Sequence, residues 1–245
     1  MTDLDILYIV AARGGSKGVP RKNIREIAGL PLIAYKIIAV SKSRLKGRVI
    51  VSTEDSEIAD IAKQYGAEVP FVRPLELASD TASSIDVVLH AMKWVEDAEH
   101  RTYDYICLLE PSSPFLSYKD LDEVESILKD KKPDTLLGMK EVDVNTCFIH
   151  ELDEQGGLSL FDTAIKNMKS VRRQDQKSQY TMNGCLYVAR WEYFKEYMSF
   201  HSQNSVPYIM DEAHSIEVDS MLNLAFAEYL VETGKITIDD WNMKG

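Results

Sequence analysis

Cysteine is scarce in this chain of 245 residues: Cys107, Cys147 and Cys185 are the only three, far apart and each among apolar neighbours. An odd, scattered set without CxxC or Cys/His spacing argues against a disulfide scaffold and against a zinc site. It reads as buried free thiols in a reducing compartment. Long apolar runs are also missing, and none approaches the ~20 residues that a membrane-spanning helix needs. The first apolar stretch, 6–12, follows acidic residues and is soon ended by Arg13 and glycines, which is too short and wrongly flanked for a secretory leader. Basic residues number 28 against 39 acids, a formal charge of −11. That deficit argues against general attraction to nucleic acid or to an anionic membrane, because both need a basic surface. It leaves room for one small anionic ligand gripped by a few local cations. No nucleophile is paired with a base and the five histidines form no pattern, so a covalent intermediate is not indicated. The expectation is a soluble, cytoplasmic protein that binds neither nucleic acid nor membrane.

What the chain does contain is a regular alternation. Residues 4–12 (LDILYIVAA) form a near-continuous apolar run, the pattern of a central parallel strand covered on both faces. Pro31 opens a helical pattern to about Ser43, with Leu32, Ile33, Ile37 and Val40 on one face. Residues 48–53 (RVIVST) predict a second strand, 55–65 a helix stopped at Gly66, and 69–73 a third, short strand. A helix over 84–98, a buried strand over 103–109 and a helix over 117–130 follow. Such alternation predicts an α/β fold with βαβ units and a mostly parallel, doubly wound sheet, whose ligands bind at the carboxyl ends of the strands. The loops after Ala12, Thr53 and Leu109 fall at those ends. Between 140 and 181 the alternation fails. A Gly156-Gly157 turn and charges clustered over 166–177 read there as hairpins or an extended arm inserted into a single domain spanning 1–245. Residues 184–190 return to strand, 219–232 predict a helix, and 236–245 carry no clear pattern.

Four loop segments could carry chemistry. The first, ARGGSKGVPRKN from Ala12 to Asn23, is a glycine-rich turn whose backbone N–H groups can converge on an anion. Arg13, Lys17, Arg21 and Lys22 concentrate positive charge there, as a triphosphate requires. The segment is neither a Walker A loop nor a dinucleotide fingerprint, since GxxxxGKS/T is absent and GxGxxG cannot be placed. The second, RPLELASDTASS from Arg73 to Ser84, has short side chains that could line a base pocket, or it is a helix start capped by Ser83 or Ser84. The third, Glu110-Pro111-Ser112-Ser113-Pro114, is a rigid wall with hydroxyls. The fourth, Ile216-Glu217-Val218-Asp219, places two carboxylates on one face of an extended strand. They could hold Mg²⁺, which takes one or two carboxylates plus substrate phosphates, or they are an N-cap aspartate beside a solvated glutamate.

Taken together these segments resemble the acylneuraminate cytidylyltransferase family, which makes CMP-sialic acid and its relatives. ARGGSKGVPRKN is similar to the family's phosphate loop and RPLELASDTASS to its RPxELAxDxxS block. LLEPSSPFL is similar to LLQPTSPLR, RRQDQ to RRQD, NGCLYVA to the NGAIY strand and IEVDSMLNL to IDIDTELDL. The blocks stand in the family's order over nearly the whole chain. The resemblance implies a Rossmann-like nucleotidyltransferase fold and transfer of CMP from CTP to an acidic nine-carbon sugar, with pyrophosphate released. It implies that Arg13, Lys17 and Lys22 hold the phosphates, with Ala12, Gly14, Gly15 and Ser16 supplying the loop's backbone, and that Asn23, Arg73, Ala82 and Ser84 lie against the nucleotide. It further implies that Glu110, Ser112, Ser113, Arg173, Gln174 and Asn183 border the sugar, that Glu217 and Asp219 position Mg²⁺, and that the arm over 140–181 reaches across a homodimer.

Three departures fall on the sugar side: Glu110 for glutamine, Leu116 for the arginine after the TSPL pattern, and Thr181 for the arginine of RPNG. They imply retention of CTP with a sugar other than N-acetylneuraminate, such as a legionaminate or pseudaminate. The competing expectations are a cytidylyl- or guanylyltransferase for another sugar on the same fold, or a non-catalytic nucleotide-binding module.

Overall fold

The computed structural model describes residues 4–142, 146, 149–158, 166 and 177–243. Strands β1 (Ile6–Ala11), β4 (Gly47–Ser52), β5 (Tyr105–Leu109), β6 (Thr135–Glu141), β7 (Tyr180–Arg190) and β8 (Ser205–Ile209) form a six-stranded sheet in the order β4-β1-β5-β7-β6-β8. All run the same way except β7, which is antiparallel to both of its neighbours. A two-stranded ribbon, β2 (Glu26–Ile27) with β3 (Leu30–Pro31), stands apart from the sheet. β7 pairs antiparallel with β6, and at the open end of that pair Lys140 meets Thr181 and Glu141 meets Tyr180. That pairing is the neck of the segment expected as an arm, most of which lies outside the described residues.

Side-chain alternation along the buried strands sorts the helices into two layers. Ile6, Tyr8 and Val10 face α1 (Leu32–Lys42), α2 (Ser56–Gln64) and α4 (Tyr118–Lys131). Leu7 and Ile9 face α3 (Ser84–Glu99) and α5 (Trp191–Tyr197). A third apolar cluster packs α6 (Met221–Glu232) and the C-terminal turn against the outer side of α1, so residues 32–40 of α1 are all buried. The helix ends follow local chemistry. Asp55 caps α2 by accepting from the Ile58 amide, and Ser117 with Asp120 and Ser220 with Asn223 form reciprocal capping boxes on α4 and α6.

The short strand expected over 69–73 is not formed. Only Glu68 bridges to Ile50, and prolines at 70 and 74 deny the segment the donors a ladder needs. The segment over 216–219 is likewise extended without joining the sheet, held instead by the Val218 amide on the Ser112 carbonyl at 2.7 Å. The helix after it starts at Met221 rather than Asp219, because Ser220 is the cap. Cys107 and Cys185 are buried free thiols; Cys147 lies outside the described residues.

The C-terminal residues without a sequence pattern close the third cluster. Trp241 is buried, its indole N–H donates to the Leu116 carbonyl at 3.1 Å, and its ring meets Tyr35 edge-on at 5.3 Å. Replacing Trp241 with alanine is expected to destabilise the fold by about 3–5 kcal/mol, the usual cost of emptying such a site. The midpoint and slope of a urea unfolding curve check this; an unchanged midpoint would contradict the packing role.

Candidate active site

β4, β1 and β5 lie side by side and point the same way, so the loops that leave their carboxyl ends meet at one edge of the sheet. A cavity of about 430 Å³ opens there. It is lined by Arg13, Ser16, Lys17, Lys22 and Asn23 from the loop after β1. Arg73, Asp80, Ala82 and Ser84 come from the segment leading into α3, Glu110 and Ser112 from the loop after β5, and Glu217 and Asp219 from the stretch before α6. All four segments singled out in the sequence therefore contribute.

The loop after β1 is closed on itself by the Asn23 side chain, which donates to the Arg13 carbonyl at 2.8 Å. Two of its glycines answer to close neighbours. Gly14 lies against Asp55, and its amide donates to Glu54 Oε1 at 2.7 Å, so that donor is taken by the protein itself. Gly18 lies so near the backbone carbonyl of Asp219 that a Cβ there would collide with it. Of the four cations in the loop, Arg21 turns away. It pairs with Asp55 and Glu57 at the start of α2 and does not line the cavity. The other three hold carboxylates from elsewhere in the chain: Arg13 and Lys17 share Asp80 at 2.8 and 2.6 Å, and Lys22 holds Asp219 at 2.7 Å.

Arg73 is almost fully buried and pairs with Glu54 at 3.0 Å. Burial, together with the nearby Arg13, lowers its pKa, while Glu54 opposes that shift. Its Nε has no hydrogen-bond partner among the described residues. Glu54 thus braces both Arg73 and the Gly14 amide, a role the sequence did not reveal because its partners are 19 and 40 positions away. Asp80 was missed as a cavity residue for the same reason.

The opposite wall is acidic. Gly184 adopts a left-handed conformation (φ +69°), and a Cβ there would lie 2.7 Å from Ser113 Oγ, 3.3 Å from Glu217 Oε1 and 3.4 Å from Glu110 Oε2. Burial, reinforced by Glu217, raises the Glu110 pKa to about 7, with Lys36 and Lys22 opposing. Glu217 is raised by burial and by Asp219. Lys36 itself is wholly buried on α1, donates to the Cys185 carbonyl at 3.0 Å, and has its pKa lowered by that burial. No group of three or more His, Cys, Asp or Glu side chains is arranged to hold a metal among the described residues. A second cavity of about 200 Å³ shares Ser84 and Glu110 with the first and is otherwise lined mainly by Ile85, Leu108, Met182, Tyr187 and Phe200.

Several expected contacts lie elsewhere. Ala12 is buried, with its amide on the Ser52 carbonyl. Gly14 and Gly15 do not line the cavity. Ser113 is buried and donates to the Asn183 carbonyl at 3.0 Å. The Asn183 side chain is spent on Ser215 Oγ, Met210 Sδ and the Cys185 amide, which fastens β7 to the loop before α6 rather than facing a ligand. Leu116, expected on the sugar side, is fully buried in the core. Arg173 and Gln174 lie outside the described residues.

Two outcomes follow from this geometry. Gly18→Ala should shift the carboxylate segment and lower turnover by about 10²-fold, the scale of a misplacement near 1 Å, while far-UV circular dichroism stays unchanged. A variant as active as the parent would show that the Gly18–Asp219 approach is not needed. For Glu110 the sign is set by a folded-state pKa raised above its unfolded value. The neutral acid is the form the fold prefers, so stability is lost as pH rises from about 4.5 to about 7 and stays lost above that. Glu110→Gln should therefore be more stable than the parent at pH 8, by up to about 3 kcal/mol, and equal to it at pH 4. Denaturant titrations at both pH values, in chelator, measure the difference.

Comparison with known proteins agrees with the geometry. The family model described as Cytidylyltransferase matches residues 7–234. The flagellin modification protein B of Campylobacter coli, described as post-translational, is 33% identical over 97% of this chain and 99% of its own length. The CMP-N,N'-diacetyllegionaminic acid synthase of Legionella pneumophila is 31% identical over 93% of this chain and 96% of its own length. Among solved structures, a CMP:2-keto-3-deoxy-manno-octonic acid synthetase complexed with CTP superposes with a TM-score of 0.68 at 13% identity, over 94% of this chain and 99% of the other, which shows a shared fold. With the model matched across almost the whole sheet and both ends of the cavity, this chain belongs to the cytidylyltransferase family.

Proposed function

We propose that this cytidylyltransferase joins the CMP half of CTP to an acidic nine-carbon sugar of the nonulosonate class and releases pyrophosphate. The observation that carries the proposal is the cavity's division. Arg13, Lys17, Lys22 and Arg73 gather positive charge at one side of an acidic protein, and Glu110 opens from the other side into a smaller, largely apolar pocket. A cytosine nucleotide fits the first part, with its phosphates on the cations and its base toward Ala82 and Ser84. The second part suits a sugar bearing acyl or methyl groups.

In the reaction the sugar's anomeric hydroxyl oxygen attacks the α-phosphorus of CTP. The bond from α-phosphorus to the bridging oxygen breaks, and pyrophosphate leaves with that electron pair. The protein's part is to align the two reactants and to neutralise the charge that builds on the phosphates. Arg13, Lys17 and Lys22 supply that neutralisation, and the apolar wall excludes water from the sugar end. Glu217 and Asp219 fit Mg²⁺ as a hard oxygen pair, since this ion takes one or two carboxylates and draws its remaining ligands from phosphate and water. When bound, it would add charge neutralisation at the phosphates.

The sugar we infer differs from N-acetylneuraminate. Glu110 presents a carboxyl that receives no hydrogen bond or ion pair among the described residues, and Thr181 stands where the family resemblance has arginine. The family resemblance also supports a homodimer assembled through the arm over 140–181, and a cytoplasmic setting. No helix among the described residues is long and apolar enough to cross a membrane.

Pyrophosphate release, measured with each of the four NTPs against a panel of nonulosonates, with and without Mg²⁺, tests the proposal. CTP alone should support turnover, and Mg²⁺ should be required. The best sugar should be a legionaminate or pseudaminate rather than N-acetylneuraminate. Lys17→Ala should lower kcat/KM for CTP by about 10²–10³-fold, the range for removing one donor to developing charge. Equal turnover with GTP, or a clear preference for N-acetylneuraminate, would overturn the corresponding part.

A further inference from the structure

Asp80 has no part in the function derived so far, yet it pairs with two of the phosphate loop's cations at once. Its two oxygens are divided between Arg13, at 2.8 Å, and Lys17, at 2.6 Å. One small anion bridging a guanidinium and an ammonium is the arrangement a phosphate group would adopt between the same two side chains. The carboxylate is half exposed at the cavity, in a turn without regular secondary structure between the short 3₁₀ helix over 75–78 and α3. Arg13 reinforces the link with a longer hydrogen bond to the Ala78 carbonyl, at 3.4 Å. Asp80 also sits two residues before Ala82 and four before Ser84, both of which line the cavity. Lys17 and Arg13 hold its pKa below the usual carboxylate value, so it stays ionised near neutral pH.

We propose that Asp80 is an internal stand-in for phosphate. It neutralises Arg13 and Lys17 until a polyphosphate chain displaces it, and it reclaims both cations as pyrophosphate leaves. This rests on the reading of the loop as a phosphate site. The exchange involves ion pairs only; no covalent bond changes. Because the displaced carboxylate belongs to the turn that carries Ala82 and leads into Ser84 at the start of α3, arrival of phosphate frees that turn to settle on the base. Asp80 is thus a positioning residue whose charge competes with the triphosphate. A solvent-exposed pair of this kind opposes binding only modestly, so its loss should tighten polyphosphate binding by about three- to tenfold.

The test compares Asp80→Asn and Asp80→Glu with the full-length parent, by calorimetric binding of inorganic tripolyphosphate, CTP and cytidine. Asp80→Asn should bind tripolyphosphate and CTP more tightly and cytidine as the parent does, and pyrophosphate should become a stronger inhibitor competitive with CTP. Asp80→Glu, which keeps the charge, should bind as the parent does. Unchanged or weaker tripolyphosphate binding by Asp80→Asn overturns the proposal. An equal gain for cytidine does so too, because it would mean a loosened turn rather than a removed competitor, as does Asp80→Glu behaving like Asp80→Asn. If the parent itself binds neither tripolyphosphate nor CTP, the phosphate-site reading falls and takes this one with it. If the parent binds both and Asp80→Asn gains nothing, only the role of Asp80 fails.

Discussion

Backbone meets backbone where Gly18 lies against the carbonyl of Asp219, and the arrangement of the cavity depends on that approach. One partner belongs to the first loop of the chain and the other to a segment near its end. Without a side chain at position 18, the loop of cations and the stretch of carboxylates come close enough for Lys22 to hold Asp219. The carboxylate segment is in turn seated by the Val218 amide on the Ser112 carbonyl, and Val218 is buried in the cluster formed by α1, α6 and Trp241. The geometry of charge at the mouth of the sheet is therefore tied to apolar packing on the far side of α1. A substitution in that cluster can reach the cavity through the backbone, with no contact to any reacting group.

The acidic wall shows why this cavity needs such support. Glu110, Glu217 and Asp219 repel one another, and burial adds to the cost of charging the first two. Lys36 offsets part of this from beneath the sheet. It approaches the carbonyl of Cys185, the residue after the glycine against which both glutamates lie. A buried ammonium and partly desolvated carboxyls near one strand are individually unfavourable and mutually supporting. Such an arrangement is kept by function more readily than by stability.

The fold was legible where apolar runs and turn chemistry agree. β1, β4 and β5 follow from their apolar stretches, and the start of α3 from Ser83, one of the two caps the sequence offers there. Illegible from one sequence were the reversed direction of β7, seen in its pairing with β6, and the burial of Ile236 and of Trp241, whose ring packs on Tyr35 of α1. The cavity divides in the same way. Segments rich in glycine, hydroxyls or paired acids stood out locally. Which cation faces the cavity did not, because Arg21 is drawn off by Asp55 and Glu57, and Asn183 is consumed by Ser215 and Met210. Those choices are made by partners tens of residues away, and a spacing pattern carries no trace of them.

The net charge of −11 is less at odds with a polyphosphate ligand than it first appears. Each cation at the cavity is held by an acid of the same chain: Arg13 and Lys17 by Asp80, Lys22 by Asp219, Arg73 by Glu54. An unshielded cluster of four cations would repel itself and would attract any anion in the cell. With internal carboxylates in place, only a ligand offering several phosphate charges at the right spacing can replace enough of them at once. On the proposed reading the acids would discriminate among anions by number and position of charge, and the buried Arg73–Glu54 pair, unlike the exposed one at Asp80, helps to shape the wall of the cavity.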